Sequence, residues 1–316
     1  MPDTDTLEII RFAALKPGPK LIVLGAVHGN ETCGPNAIGR AVEEFRSGKL
    51  RLRRGQVTFV PVANPKAFAQ NSREGDRNLN RDLAERAIPQ DNEDRIGNVL
   101  CPLLREHDVL VDLHSYTGEG EPFCFAGPED NEGPLEPFAG GDAEWALAIR
   151  LGPTLVIHGW LDGYACYLAE RERHGFPPLR PTEGVGTTEY MRAQGGYAVT
   201  VECSGHADPA GDKVAYRAVV SALAHLGLVD GPALRPTARQ AIRITDSLLC
   251  EGEGDRVEPG LRTGDAVKAG QTIAHRRDGA LVVAPENGFV VFPNPNARPG
   301  QQLVYLAVAS ERPLAP

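Results

Sequence analysis

Apolar runs typical of buried strands alternate with amphipathic segments along most of the chain. Residues 21–27 are an uninterrupted apolar run, which is typical of a strand buried on both faces. The helical segment that follows places Ile38, Val42 and Phe45 on one face. Strands are predicted at 7–13, 21–27, 56–63, 109–114, 123–126, 154–158 and 197–203, and helices at 35–46, 92–107, 142–151 and 212–228. This alternation predicts an α/β fold with a mixed, mostly parallel sheet flanked by helices.

Two stretches depart from this alternation. Residues 160–196 are rich in glycine, proline and charge, and they are predicted to be loop with short helices. Residues 237–316 consist of short apolar runs separated by turn signals such as Asn287-Gly288. This composition predicts a small all-β domain after the α/β domain, with a boundary between residues 232 and 237.

Composition narrows the classes of function. The 316 residues carry 42 acidic and 33 basic side chains, for a net charge of −9. Such a chain has no basic stripe to neutralise phosphates, so no nucleic-acid partner is predicted. No apolar run approaches the ~20 residues that a membrane helix needs, and the N-terminus lacks a signal-peptide core, so no membrane association is predicted. Six scattered cysteines without a C-x-x-C pair fit a reducing compartment and predict a cytoplasmic location.

The first candidate for chemistry is the loop after the 21–27 strand. His28 and Glu31 lie three residues apart in this loop, and Gly29 between them permits a tight fold. An imidazole and a carboxylate at this spacing can bind one metal ion together. The spacing alone fits equally well a polar loop whose histidine caps the next helix, so the rest of the site decides.

A second polar pair ends the 109–114 strand. Functional groups of open α/β sheets gather at the carboxyl ends of strands, so His114 is expected beside His28 and Glu31. Two imidazoles and one carboxylate, with a fourth position for water, are typical of a catalytic zinc site, although they also suit Co²⁺ or Fe²⁺. Asp112 points to the same side of the strand as His114. It is either a partner of the ligating histidine or a loop carboxylate.

Two further segments carry charge that a hydrolase needs. Glu202 follows an apolar strand, where a carboxylate is costly to bury unless it has a partner or a function. It is either a general base or an exposed carboxylate at the strand end. The segment from Arg73 to Arg81 offers guanidinium groups, which suit a carboxylate through two parallel hydrogen bonds. The alternative is a solvated charged loop.

In this order and at these separations, the motifs resemble the succinylglutamate desuccinylase/aspartoacylase family, a branch of the zinc-carboxypeptidase-like metallohydrolases. The motifs are His28-Gly-Asn-Glu31, the segment from Asn64-Pro65 through Arg73 to Asn80-Arg81, Asp112-Leu-His114 and Val201-Glu202. The resemblance covers about residues 20–230. It implies a zinc-carboxypeptidase-like catalytic domain over residues 1–232 and an appended β-barrel-like C-terminal domain over residues 237–316.

The resemblance implies the metal site and the base. His28, Glu31 and His114 would bind one zinc ion per chain. Glu202 would deprotonate the attacking water and pass the proton to the leaving amine.

The resemblance also implies the substrate contacts. Arg73 would polarise the scissile carbonyl and stabilise the oxyanion. Asn80 and Arg81 would hold the free carboxylate of a small substrate. Arg192 would be a further carboxylate-binding residue, although residues 193–196 do not match the family pattern.

The implied activity is hydrolysis of the amide bond of an N-acyl amino acid. The same residues would serve a zinc carboxypeptidase or amidase that acts on short peptides. A third interpretation is a metal-dependent binding protein, which would have no need of Glu202. The sequence leaves open the acyl group, the amino acid and whether the protein forms a homo-oligomer. Residues 257–273 resemble biotinyl/lipoyl-type barrels, but no modifiable lysine is evident, so this second resemblance implies architecture alone.

Overall fold

Strands and helices alternate through the first 225 residues, and further strands follow. The computed structural model describes residues 4–118 and 120–315. The strands of the first part are β1 (Ile10–Ala13), β2 (Lys20–Gly25), β3 (Gln56–Val60), β4 (Val109–Tyr116), β5 (Phe123–Phe125), β6 (Leu155–His158) and β7 (Tyr197–Gly205). The helices are α1 (Cys33–Arg46), α2 (Pro65–Ala69), α3 (Asn92–Arg105), α4 (Gly141–Ala148), α5 (Trp160–Arg173), α6 (Thr187–Ala193) and α7 (Gly211–His225). The later strands are β8 (Gln240–Leu249), β9 (Arg256–Val257), β10 (Ala266–Val267), β11 (Thr272–His275), β12 (Leu281–Val283), β13 (Gly288–Val291) and β14 (Gln302–Ala309).

Eleven strands form one mixed sheet in the order β1-β3-β2-β4-β7-β5-β6-β8-β14-β13-β10. Its centre is parallel: β3, β2, β4 and β7 run in one direction side by side. The strands β5, β6 and β8 form a second parallel group, which joins the first through an antiparallel contact between β5 and β7. The predicted α/β fold with a mixed, mostly parallel sheet flanked by helices is confirmed.

The strands at the C-terminal end extend this sheet with antiparallel pairing. β8 pairs with β6 at Leu155 and Gln240, so the sheet continues across the predicted boundary near residue 232. β14, β13 and β10 then follow as antiparallel neighbours, and β12, β11 and β9 form a separate small sheet. The division into domains 1–232 and 237–316 stays a prediction. Among the residues that the structure describes, none of the helices combines the length and the apolar character needed to cross a membrane.

The continuous apolar run of β2 is explained by cores on both faces of the sheet. Leu21 and Val23 belong to a cluster that also contains residues of α1 and α7. Ile22 and Leu24 point the opposite way, into a cluster that contains residues of α3. Because successive side chains of a strand alternate between faces, a strand covered on both sides needs apolar residues at every position.

Residues 160–196 contain more helix than the sequence predicted. α5 spans 14 residues, so the prediction of loop with short helices was wrong for this segment. Gly163, which weakens the helical pattern, lies where α5 crosses β8: a Cβ at this position would be 2.4 Å from Ile244 Cγ2. Glycine therefore allows close packing of the helix on the sheet. Helix propensity alone counts this glycine as unfavourable and does not predict the packing requirement.

Candidate active site

The carboxyl ends of β2, β4 and β7 meet at one cavity. His28 and Glu31 lie in the loop after β2, and His114 lies near the end of β4. Glu202 of β7 is the register partner of His114 on β4. Because these two strands are parallel neighbours, residues at the same register project side by side. All four side chains line a cavity of about 1170 Å³.

The loop after β2 is folded tightly and packed closely against α2. The N–H of Glu31 donates to the carbonyl of His28 at 3.2 Å, which closes the turn. A Cβ on Gly29 would lie 2.0 Å from the carbonyl carbon of Ala67. Glycine between the two candidate ligands is therefore required by the close approach of another backbone, in addition to the tight fold that the sequence predicts.

His28, Glu31 and His114 bring three candidate ligand groups to one point. Nδ1 of His28 lies 2.8 Å from Oε1 of Glu31, and Nδ1 of His114 lies 2.9 Å from Oε2 of the same carboxylate. The side chains are almost fully buried, and their ligand atoms all lie within 4.8 Å of one another. The structure thus places two imidazole nitrogens around the two oxygens of a single carboxylate.

Asn78 determines which nitrogen of His28 carries its proton. Oδ1 of Asn78 accepts from the backbone N–H of Asn80 at 2.9 Å, which identifies this atom as the oxygen. Nε2 of His28 lies 3.0 Å from the same oxygen and must donate to it. Burial favours the neutral ring by lowering the pKa of His28 to about 4, and in the neutral ring Nδ1 then carries a lone pair. A metal ion beside Glu31 would use this lone pair, as in a metal-ligating histidine whose second nitrogen is hydrogen-bonded.

His114 is held from its other side by Asp112. Nε2 of His114 lies 3.0 Å from Oδ2 of Asp112, at an angle that gives no hydrogen bond, and that carboxylate also accepts from the hydroxyl of Thr187. Burial opposes a charge on His114, but Asp112 and Glu31 outweigh it and raise its pKa well above 6.5. Although burial opposes it too, the two imidazoles hold the pKa of Glu31 well below its usual range. Two buried carboxylates thus demand positive charge at this point.

These observations fit a divalent metal ion. The donor set is two imidazoles and one carboxylate, which is the set of many catalytic zinc sites. In the protein without the ion, a proton on His114 supplies the charge that the two carboxylates require. Ions of the zinc class would supply the same charge and use the lone pair on Nδ1 of His28.

Glu202 presents an unsatisfied carboxylate oxygen to the same cavity. Its Oε2 is buried and has no hydrogen-bond partner among the described residues. Burial, together with the carboxylates of Glu31 and Asp112, raises its pKa to about 8, although His114 and Arg73 oppose the shift. A carboxyl group of this kind can hold a proton near neutral pH, which is a requirement for a group that both accepts and returns one.

The arginine-rich segment also borders the cavity. Nη1 of Arg73 lies 3.3 Å from Oε1 of Glu31, and the Arg73 side chain remains about half exposed. Oδ1 of Asn80 accepts from the backbone N–H of Thr187 at 2.9 Å, which leaves the amide hydrogens of Asn80 as donors. Arg81 donates to the carbonyl of Asn80, and burial together with Arg73 lowers the pKa of its guanidinium. All three side chains line the cavity.

Arg192 lies at another wall of the cavity, inside a buried ion cluster. Its Nε lies 2.8 Å from Glu144, and its Nη1 lies 2.6 Å from Glu136 and 3.3 Å from Glu189. Its Nη2 donates to the carbonyl of Ala198 at 2.8 Å. The sequence predicts a substrate contact for Arg192, whereas each of its three nitrogens already has a partner within the chain.

Two groups of residues at the site, one beside His28 and one lining the cavity, were given no role by the sequence analysis. Asn78 lies within the arginine-rich segment, and its Asn-x-Asn spacing was the available signal. The aromatic residues Trp160 and Phe292 also line the cavity, one from the start of α5 and one just after β13. These two residues are brought together by contacts between strands that are distant in sequence, and the local pattern of apolar residues does not predict such contacts.

Comparison of the sequence with protein families gives one match. Residues 17–132 match the model described as the succinylglutamate desuccinylase/aspartoacylase catalytic domain. This segment contains His28, Glu31, Arg73, Asn80 and His114, among others. A comparison with curated proteins found no match. The resemblance that the sequence motifs predict is confirmed.

Several solved structures share the fold of this chain. The chain is similar to a succinylglutamate desuccinylase/aspartoacylase from Rhodobacter sphaeroides, with a TM-score of 0.74, 17% identity, and coverage of 96% of this chain and 89% of that one. It is also similar to the product-bound ectoine utilization protein EutE (DoeB) from Ruegeria pomeroyi, with a TM-score of 0.68, 22% identity, and coverage of 95% of this chain and 88% of that one. A third similar structure is succinylglutamate desuccinylase from Vibrio cholerae, with a TM-score of 0.69, 17% identity, and coverage of 95% of this chain and 85% of that one. At these identities the likeness concerns the fold.

Proposed function

We propose that the protein is a zinc-dependent hydrolase that cleaves the amide bond of an N-acyl amino acid, because residues 17–132 match the succinylglutamate desuccinylase/aspartoacylase catalytic domain model. The observation that carries the proposal is the meeting of His28, Glu31 and His114, with the unsatisfied carboxyl group of Glu202 beside them. The substrate would be a small molecule that bears a free carboxylate.

The three ligands would hold one zinc ion. The ion would supply Lewis acidity toward water and toward the substrate carbonyl. Asn78 supports this role because it keeps Nδ1 of His28 unprotonated. Asp112 would stabilise positive charge at His114 from the opposite side, where its Oδ2 lies 3.0 Å from Nε2 of the ring.

Glu202 would move the proton of the reaction. Its Oε2 takes a proton from the attacking water while the water oxygen bonds to the carbonyl carbon. The same carboxyl group then gives that proton to the leaving nitrogen as the C–N bond breaks, so that a carboxylic acid and a free amine result. Glu202 must be ionised to accept the proton, and its pKa of about 8, which burial raises in the absence of the ion, would fall once a divalent cation lies beside it.

Arginine and asparagine side chains would position the substrate. Arg73, which reaches Glu31, would donate to the carbonyl oxygen as negative charge develops on it. Arg81 and the amide of Asn80 would hold the free carboxylate. Carboxylate binding by Arg192 stays a prediction, and it would require Arg192 to share donors with its present partners.

A second candidate is a carboxypeptidase or amidase that acts on short peptides. The observation in its favour is the cavity volume of about 1170 Å³, which exceeds the ~300–1,000 Å³ typical of small-molecule sites. Both candidates use the same ligands, base and arginines, so only substrates separate them. A cytoplasmic location and a homo-oligomeric state also stay predictions.

The test is release of free amine from a panel of N-acyl amino acids and short peptides, by protein of measured zinc content, with and without a chelator. Glu202→Gln should lower kcat by on the order of 10²–10⁴-fold and leave the zinc content unchanged. Glu43→Gln, an exposed glutamate on α1, is the matched control and should keep full activity. Full activity of Glu202→Gln would refute the assigned base. No release from any member of the panel would favour the binding protein.

A further inference from the structure

Four aromatic side chains form a continuous surface on one side of the cavity, and we call it the aromatic wall. It consists of Phe125, Trp160, Phe292 and Tyr305, all of which line the cavity. The rings are in sequential contact: Phe292 to Phe125 at 5.6 Å, Phe125 to Trp160 at 6.3 Å, and Trp160 to Tyr305 at 5.8 Å between centroids. These residues come from β5, α5, the end of β13 and β14, so the wall is assembled by both halves of the chain.

Phe292 is held in this wall by an uncommon backbone conformation. Its φ is +49°, in the left-handed region that bulky residues rarely adopt. Two hydrogen bonds fix it there: its N–H donates to the hydroxyl of Thr263 at 2.9 Å, and its carbonyl accepts from the amide of Gln302 at 2.7 Å. A large ring kept at a position that suits glycine is an observation that points to a function for the ring.

Apart from the hydroxyl of Tyr305, the rings of the wall offer the cavity no free polar atom among the described residues. The indole N–H of Trp160 donates to the carbonyl of Gly184 at 2.8 Å, so the polar atom of that ring already has a partner. Phe125 and Phe292 have no polar side-chain atoms. A ligand group that covers these rings must itself be apolar, because a polar or charged group would lose its water there without gaining a hydrogen bond.

The wall begins beside the group that would hold the substrate carboxylate. The guanidinium carbon of Arg81 lies 5.0 Å from the ring centroid of Trp160. In an N-acyl amino acid, the side chain leaves the carbon atom next to the carboxylate. A carboxylate bound at Arg81 therefore directs the amino-acid side chain, rather than a distant part of the acyl group, toward Trp160 and the rings beyond it.

We infer that the amino-acid part of the substrate carries an aromatic or bulky apolar side chain, which packs against the aromatic wall. This inference rests on the proposed function. The cavity volume agrees with it, since a small dicarboxylic acyl amino acid would leave much of about 1170 Å³ unfilled. Phe292 is the specificity-determining residue in this arrangement, because its ring reaches the cavity from the C-terminal strands.

The test compares substrates that share one acyl group and differ in the amino acid. N-acetylphenylalanine should be cleaved with a kcat/KM about 10–100-fold above that of N-acetylalanine, N-acetylaspartate or N-acetyllysine. N-phenylacetylalanine, which carries its ring on the acyl side, should fall below N-acetylphenylalanine. Equal values throughout, or a preference for the aspartate, lysine or phenylacetyl compound, would overturn the inference while the hydrolase proposal stands.

Variants then assign the preference to the wall. Phe292→Gly removes the ring and suits the left-handed backbone, so it should lower the ratio of kcat/KM for N-acetylphenylalanine to kcat/KM for N-acetylalanine about 10-fold or more. Phe125→Leu is a second variant if the first fails to fold. Phe289→Ala is the matched control, because Phe289 lies on β13, three residues before Phe292, and lines a different, smaller pocket. An unchanged preference in both wall variants would refute the assignment.

Binding separates failure of this inference from failure of the proposed function. Calorimetric titration of zinc-loaded Glu202→Gln protein with N-acetylphenylalanine and N-acetylalanine should show the same preference without turnover. If the native protein releases amine from no substrate while the aromatic ligand still binds more tightly, the hydrolase proposal falls and the apolar pocket stands. If neither release nor preferential binding occurs, both are overturned.

Discussion

Asn78 accepts a hydrogen bond from Nε2 of His28 through its Oδ1, at 3.0 Å, and so decides which nitrogen of the imidazole is free. The oxygen is identified by a second donor, the backbone N–H of Asn80 at 2.9 Å. One amide side chain thus connects the candidate metal site to the segment that holds Arg81. The tautomer of His28 and the path of the 78–81 segment depend on the same atom.

The first prediction concerns this contact. Asn78→Ala should lower zinc affinity by about 10–100-fold, because loss of an outer hydrogen bond frees the ring to rotate and to take the wrong tautomer. Competition with a chromophoric chelator measures the affinity. Asn98→Ala is the control, since Asn98 also makes two hydrogen bonds but joins them to Arg86 in another loop. Equal zinc affinity in both variants would show that Asn78 does not orient His28.

Most strands and helices could be predicted from the sequence because apolar residues recur with a different spacing in strands and in helices. It also predicted that His28, Glu31 and His114 would meet, since strand ends of a parallel sheet converge at one edge. It did not predict α5 as a long helix, because Gly163 is needed for packing on β8 rather than for the helix itself.

The surroundings of Arg192 were beyond the reach of sequence for a different reason. Its partners Glu136 and Glu144 lie 56 and 48 residues away along the chain. Ion pairs between such distant residues follow from tertiary packing, and no spacing rule encodes them.

The second prediction follows from that cluster. Arg192→Met would leave three carboxylates buried without their cation, so the free energy of unfolding should fall by about 3–5 kcal/mol. Urea unfolding of the metal-free protein measures this loss. Arg46→Met, which removes an exposed ion pair with Glu43, should change it by less than about 1 kcal/mol.

Kinetics separates this structural role from the predicted substrate contact. Arg192→Lys keeps the charge without the planar fork and should fold with intermediate stability. If Arg192 also binds the substrate carboxylate, this variant will have a raised KM in addition to its reduced stability. The cluster geometry instead predicts reduced stability, with KM close to that of the native protein.

The third prediction concerns His158, which ties the end of β6 to the C-terminal strand. Its Nε2 lies 2.7 Å from the hydroxyl of Ser310, and burial, with help from Arg312 and Arg243, lowers its pKa to about 4. The unfolded chain binds a proton at this histidine below about pH 6.5, and the folded protein does not until about pH 4. Stability contributed by the neutral ring is therefore complete above pH 6.5 and is lost as the pH falls toward 4.

Urea unfolding at pH 7.5, 6 and 5 tests this linkage. Between pH 7.5 and 5, the free energy of unfolding of the native protein should fall by about 2 kcal/mol more than that of His158→Gln. If the His158 variant has the native slope, the ring does not titrate as its burial predicts.

The fourth prediction concerns the close approach at Gly29. A Cβ there would lie 2.0 Å from the carbonyl carbon of Ala67 and 2.2 Å from its oxygen, and neither backbone atom can move without shifting α2. Gly29→Ala should therefore lower the free energy of unfolding by about 1–3 kcal/mol and weaken zinc binding, since the same loop carries His28 and Glu31. Gly39→Ala is a strict control, because Gly39 lies in α1 with nothing within 4 Å of its Cβ position. It should stabilise the helix by about 0.5–1 kcal/mol and leave zinc affinity unchanged. If both substitutions have the same effect on zinc affinity and on the free energy of unfolding, the close contact between Gly29 and Ala67 does not constrain the loop after β2.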